Sequence, residues 1–370
     1  MKLKKLFAGI VAVAMMATMA IPGFAAKHDA YDPNDMKDHD SITVTKIYKT
    51  AGDTGSAVSP EETFTLAQVG DGKVTQGIAD SAPHLGAITG AKFDAGAAKA
   101  DGTATADITI ALPTKAQFGH PGVYEYTLKE VGGTTAGVTY RPESDTFKLV
   151  VTVVSNDKGE LFRYAAVHTE AATTDAEAEN AKKTDTIENT YTAKTLTLEK
   201  YTAGNFGDKN EYFQFSLKLT GETGKTYPTD GYAITYPTTE KDSRNTTEKI
   251  TMGTPVTVWL KSGQKISIAN LPEGVTWEAK ELTSTGGELT TEAGKTTNGL
   301  YTVTVDNASG TVTAFKEGKA VTNEIKFTNT HEGTVDTGVI LDNAPYIALL
   351  TIVAAGAVVM IIKKRRNYED

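Results

Sequence analysis

Apolar residues follow two patterns along this chain. Near the ends they form unbroken runs, Leu6 to Met19 and Pro345 to Ile362, with Tyr346 and Thr351 as mild exceptions in the second. Between the runs they alternate with polar residues in short stretches. Examples are Ser41–Tyr48, Val123–Val131, Thr146–Val154, Thr195–Lys200, Phe213–Leu219, Val256–Leu260, Lys265–Ala269 and Glu324–Thr328. Period-two alternation of β-branched and aromatic residues predicts half-buried strands, and their spacing predicts an all-β body of Ig-like β-sandwiches. Asp71-Gly72, Asn156-Asp157-Lys158-Gly159 and Gly286-Gly287 predict turns. No long amphipathic helix is evident, and Thr174–Lys183 is the best candidate for a helix or loop.

The terminal runs carry targeting information. Lys2, Lys4 and Lys5 precede the first run and Gly23-Phe24-Ala25 ends it with small residues, so 1–25 reads as a secretory signal peptide, followed by a flexible mature N-terminus over 26–40. The second run, 345–362, is long enough for a transmembrane helix. Lys363, Lys364, Arg365 and Arg366 follow it within the final segment 363–370, which reads as a cytoplasmic basic tail. The body between the runs is therefore predicted to lie outside the cell.

That body is long enough for two domains within the 370-residue chain, and it repeats itself once. Each half opens on a strand ending in lysine, Ile42-Thr-Val-Thr-Lys46 and Leu196-Thr-Leu-Glu-Lys200. Each continues through a related segment, Pro121-Gly-Val-Tyr-Glu-Tyr-Thr-Leu-Lys-Glu130 and Pro272-Glu-Gly-Val-Thr-Trp-Glu-Ala-Lys-Glu281. Each closes on asparagine, at Asn189 and Asn329. The division falls near Tyr191–Ala193, giving domains at 41–192 and 193–333.

Strand parity places these polar residues on the wrong face. Lys46 falls in with Ile42 and Val44, Glu130 with Tyr124 and Tyr126, and Asn189 with Ile187 and Tyr191. Lys200 falls in with Leu196 and Leu198, Glu281 with Trp277 and Ala279, and Asn329 with Ile325 and Phe327. Burial of a lone Lys or Glu costs several kcal/mol. Two readings answer that cost. One is a buried Lys–Glu pair hydrogen-bonded to Asn in each domain. The other is chemical: an apolar core disfavours the charged amine, the neutral amine attacks the Asn carboxamide, and a Glu relays protons as ammonia leaves. The chain has no cysteine, so an exported protein must be stapled by something other than disulfides, and the duplicated triad favours the bond.

At these positions the sequence resembles the streptococcal T-antigen-type major backbone pilins, from about Ser41 to the C-terminus. The resemblance is carried by the segments ending in Lys46, Glu130, Lys200 and Asn329, by Asn189 and Glu281, and by Ala344-Pro-Tyr-Ile-Ala-Leu-Leu350. It implies isopeptide bonds Lys46–Asn189 and Lys200–Asn329, with Glu130 and Glu281 as the catalytic carboxyls. It also implies that a lysine shortly before Asn189 links subunits: Lys182 matches that position, with Lys183 adjacent.

Thr334-Val-Asp-Thr-Gly338 stands before the apolar run and basic tail, an arrangement that looks like a sortase substrate cleaved between Thr337 and Gly338. Thr334, Val335 and Asp336 depart from the usual Leu-Pro start and from the Pro that similar pilins carry at the third position. The implied partners are a class C pilin sortase, a housekeeping sortase, identical subunits, minor pilins, peptidoglycan and a host surface. Two other roles compete. One is a monomeric wall-anchored adhesin or minor pilin. The other is an aspartic-type protease, suggested only by Asp53-Thr54-Gly55 and Asp336-Thr337-Gly338, whose contexts do not suit it. A net charge of −9 with no basic block argues against nucleic acid as a partner. The acidic stretch Asp29–Asp40 lacks the glycine and terminal Glu of a calcium loop, the histidines show no ligand spacing, and no metal or cofactor is expected. Asn245-Thr246-Thr247 matches a glycosylation sequon.

Overall fold

The computed structural model describes residues 37–52, 57–98, 102–169, 184–237, 240–313, 315–316, 319–320, 322–335 and 344–366. The signal-peptide segment, Asp53, Thr174–Lys183 with Lys182 and Lys183, and Thr337 with Gly338 lie outside the described residues.

The alternating segments form strands where alternation predicts them. In the first half, Ser41–Gly52 pairs antiparallel with Thr103–Ala111 on one side. On its other side it pairs parallel with the beginning of Thr186–Ala203. A second sheet runs in the order Leu161–His168, Thr146–Ser155, Gly122–Glu130, Leu66–Gly77. Gly122–Glu130 alternates strictly between buried and half-buried residues, so Tyr124, Tyr126 and Leu128 join Val44, Tyr48 and Ile108 in one apolar core. The second half repeats the plan. Phe213–Thr220 pairs with Val256–Leu260 and Thr276–Leu282 in one sheet. In the other, the end of Thr186–Ala203 pairs antiparallel with Lys265–Pro272 and parallel with Asn323–Thr330. The segments after Asn156 and at Gly286 are tight turns, Gly159 and Gly286 taking φ of 81° and 85°. Asp71-Gly72 is not a chain reversal. It lies within the continuous strand Leu66–Gly77, where the register against Gly122–Glu130 shifts between Val69 and Lys73. A side chain at Gly72 would strike the Tyr126 ring at 2.6 Å, so the glycine serves packing there.

One strand belongs to both sandwiches. Thr186–Ala203 runs for 18 residues without interruption, pairing with Ser41–Gly52 through its first half and with Asn323–Thr330 through its second. Tyr191–Ala193, where the repeat places the division, lies inside it, and a register shift between Lys194 and Leu196 marks the change of partners. Further contacts brace the join. The Asn270 side chain accepts from Val58 N at 2.8 Å and donates to Val58 O at 3.0 Å. Tyr191 Oη donates to Asn270 O, and Thr226 bridges to Thr135 in parallel register.

The start of the described chain is tied to the second sheet. Arg163 donates through Nε and Nη2 to the Asp38 carboxylate at 3.1 and 2.6 Å, and through Nη1 to Pro113 O at 2.8 Å. The end of the 26–40 segment, expected to be flexible, is thus pinned at Asp38. Partial burial alone would raise the Asp38 pKa. The hydrogen bonds and charge of Arg163, with Lys115 nearby, outweigh it and hold the carboxyl below its ordinary 3.8. A carboxyl with a depressed folded-state pKa contributes stability that is present above the unfolded value and lost as pH falls through the folded one. Asp38→Asn should therefore lose about 1 kcal/mol at pH 7, as befits a solvent-reachable ion pair, and nothing at pH 2. Thermal melts of both proteins from pH 7 to 2 test this, and a constant difference across the range would refute it.

Ala344–Arg366 forms a 23-residue α-helix on which Leu349, Leu350, Ile352, Val353 and Met360 are exposed. Among the described residues, no helix is long and apolar enough to cross a membrane.

Candidate cross-linking sites

The parallel pairing sets the geometry of both sites. Lys46 lies opposite Ile187, and Asn189 is two residues further along the same strand, on the same face. Lys200 lies opposite Phe327, and Asn329 is again two residues further on. A two-residue offset is roughly 7 Å along a strand, a span that a lysine stem can lean across. The glutamates come from the facing sheets, where Glu130 pairs with Leu66 and Glu281 with Phe215. Each site therefore joins the first and last strands of one sheet to the other sheet across the core.

In the first sandwich Lys46 is 0% exposed and Glu130 and Asn189 are each 2% exposed. Lys46 Nζ donates to Glu130 Oε2 at 2.6 Å and also to Asn189 Oδ1. Asn189 Nδ2 donates to Glu130 Oε1 at 2.6 Å and to Thr139 O at 2.9 Å. The Arg141 backbone N–H completes the carboxyl's surroundings, donating to Oε1 at 3.3 Å. Phe64 lies under the amine, with its ring centre 4.6 Å from Nζ. Burial pushes the Lys46 pKa down, against the opposing pull of Glu130.

The second sandwich repeats the arrangement more loosely. Lys200 and Asn329 are fully buried, and Glu281 is 4% exposed. Lys200 Nζ stands 3.5 Å from Glu281 Oε2 and 4.1 Å from the centre of the Phe213 ring. Asn329 Nδ2 donates to Glu281 Oε1 at 2.6 Å, while Asn329 Oδ1 has no partner among the described residues. Burial lowers the Lys200 pKa to about 8, with Glu281 opposing, so its neutral amine is accessible near physiological pH. Asn298 Nδ2 also donates to Glu281 Oε1, at 2.8 Å. Sequence reading missed this residue because Lys295–Asn298 is a short polar strand whose alternation carries no apolar signal.

The structure thus brings together all six residues singled out by parity. It also disposes of the sequon, because Asn245 is 3% exposed, with its side chain bonded to the Trp259 N–H and C=O. No group of three or more potential metal ligands occurs among the described residues.

Residues 42–192 match the family of the Spy0128-like isopeptide containing domain. Residues 194–331 match a family described as a domain of unknown function. A curated relative, a pilin of Streptococcus pyogenes serotype M1, is 27% identical over 296 residues, covering 80% of this chain and 81% of its own. The crystal structure of the major pilin from Streptococcus pyogenes aligns over 80% of this chain and 100% of its own, with 20% identity and a TM-score of 0.50. At that identity the likeness speaks for the fold, two tandem sandwiches in one chain. The matched domain family is described by its isopeptide, and the curated relative is a pilin.

Proposed function

We propose that this chain is a pilin, the backbone subunit of a sortase-assembled cell-surface pilus, sealed internally by Lys46–Asn189 and Lys200–Asn329 isopeptide bonds. The observation that carries the reading is the duplicated triad: a fully buried lysine, an asparagine on the adjacent parallel strand, and a glutamate touching both from the opposite sheet. A buried ion pair alone offsets its desolvation poorly. An amide removes the charges altogether. In each site the neutral lysine amine attacks the asparagine Cγ and forms a C–N bond. Glu130 or Glu281 relays a proton from the amine to the departing nitrogen, the Cγ–Nδ2 bond breaks, and ammonia leaves. The phenyl rings beside each amine disfavour water and support the uncharged nucleophile.

Polymerisation is the outer half of the proposal. A signal peptide exports the chain, 345–362 holds it in the membrane with the basic tail inside, and a sortase cleaves between Thr337 and Gly338. Thr337 is then transferred to Lys182 or Lys183 of the next subunit, or to peptidoglycan. Support comes from the position of these lysines in the sequence just before the shared strand and from the apolar run and basic tail that follow Gly338. Immunoblots of wall extracts should show a high-molecular-weight ladder. The Lys182→Ala, Lys183→Ala double variant should collapse it to monomer, and the single variants assign the linkage. A single band from the wild type would instead identify a monomeric wall-anchored protein.

A further inference from the structure

The two sites share a feature that the triad does not account for. In each, one glutamate oxygen faces the lysine and the other accepts two N–H groups. In the first sandwich Glu130 Oε1 accepts from Asn189 Nδ2 at 2.6 Å and from the Arg141 main chain at 3.3 Å. In the second, Glu281 Oε1 accepts from Asn329 Nδ2 at 2.6 Å and from the Asn298 side chain at 2.8 Å. The second donor has a different origin in each case because a different element flanks the closing strand. Beside Asn189 lies the short strand Val138–Thr139, which delivers the backbone of Arg141. Beside Asn329 lies Tyr301–Asp306, in register Val303 to Asn329, with Lys295–Asn298 paired outside it. The turn at Gly299, φ 59°, places Asn298 opposite Tyr301 at the end of its strand. There its amide reaches both Glu281 Oε1 and Leu282 O, the latter at 3.2 Å.

We propose that Asn298 is the positioning residue of the second cross-linking reaction. It fixes the Glu281 carboxyl so that Oε2 addresses the Lys200 amine while Oε1 holds the carboxamide under attack. The requirement is sharper here than in the first site. Lys200 stands 3.5 Å from its glutamate against 2.6 Å for Lys46, and Asn329 Oδ1 receives no hydrogen bond from the amine. A carboxyl free to rotate about its last torsion would lose both alignments, and small misplacements of reacting groups are expensive in rate. Among the described residues the Asn298 amide donates to Glu281 Oε1 and Leu282 O, with no hydrogen bond to Lys200 or Asn329, so it acts through Glu281.

This inference rests on the isopeptide reading, and one experiment separates the two. Mature chain made by cell-free synthesis is sampled over time, intact mass reporting each ~17 Da loss as ammonia leaves. Fluorescence follows folding of the second sandwich, which contains both tryptophans, Trp259 and Trp277. Asn298→Ala should fold at the wild-type rate and form the first bond normally, yet form the second at least about ten-fold more slowly. Asn298→Asp, nearly isosteric but without the amide donor, should be equally slow, while Asn298→Gln should recover part of the rate. The first-sandwich bond serves as a control in every sample. If the wild type loses no mass, the isopeptide reading itself fails. If the wild type loses both ammonias and either donor-lacking variant keeps pace, only the role of Asn298 fails. Fragment spectra showing Lys200 joined to Asn298 would overturn it in favour of Asn298 as electrophile.

Discussion

Purified mature protein should weigh ~34 Da less than its processed sequence, and Glu130→Ala or Glu281→Ala should each restore ~17 Da, one ammonia per site. The geometry explains why the glutamate decides the outcome. Among the described residues, Glu130 is the one side chain bonded both to the attacking amine and to the nitrogen that must leave. Without it the amine still lies against Asn189 Oδ1, but nothing carries its proton to the leaving group. The loss should also appear in stability. A Lys46–Asn189 bond would close a loop of 143 residues. Cross-linking a loop of that size removes unfolded-state entropy equivalent to ~5 kcal/mol. Lys46→Ala and Asn189→Ala should therefore unfold at clearly lower temperature than wild type, with the mass of the first sandwich unreduced. A wild-type mass equal to the plain processed sequence would refute the bonds, and an unchanged mass deficit in Glu130→Ala would refute the role of the glutamate.

Under tension the two bonds should behave differently, and the shared strand is the reason. A pull applied at residue 183 and at residue 335 enters Thr186–Ala203 almost at once. That strand is already extended, so its stretch yields little length. At Lys200 the tension crosses to Asn329 through the second bond and leaves along the tail. The first sandwich, from Ser41 to His168, hangs from the loaded strand without carrying the load. Force spectroscopy with handles at residues 183 and 335 should therefore find the wild type nearly inextensible. Asn329→Ala should release the segment from 200 to 329, a difference of 129 residues, or ~430 Å at about 3.3 Å per residue. Asn189→Ala should release almost nothing with these handles. It should lengthen the molecule by ~470 Å only when the pull is moved to residue 41, upstream of Lys46. Equal lengthening by both variants with handles at 183 and 335 would refute this load path. Engineered handles keep the test independent of which lysine links subunits in the fibre.

Much of this was legible along the chain because period-two alternation reports facing directly. Val256–Leu260 forms with the bounds that alternation predicts, and Phe213–Leu219 and Thr146–Val154 each gain a single residue. Parity also found buried lysines, since a charged residue in phase with isoleucine and tyrosine has no solvent to turn to. What escaped was non-local. Asp71-Gly72 carries turn chemistry, but pairing with Gly122–Glu130 on both sides of it holds the chain extended through a bulge. Asn298 carries no signal in a Thr-rich strand, and the Arg141 main chain carries none by nature.

By itself, then, the sequence determined the two-sandwich plan and the face on which each of the six polar residues lies. These depend on side-chain alternation and composition, which are local properties. Only the tertiary structure decided that opening and closing strands lie parallel with a two-residue offset between Lys and Asn. It alone decided that one strand serves both sandwiches, and that a hairpin brings Asn298 to Glu281. Those outcomes depend on which distant strands pair and in what register. Many strands share the same alternation, so the choice among partners is made by packing across the whole core.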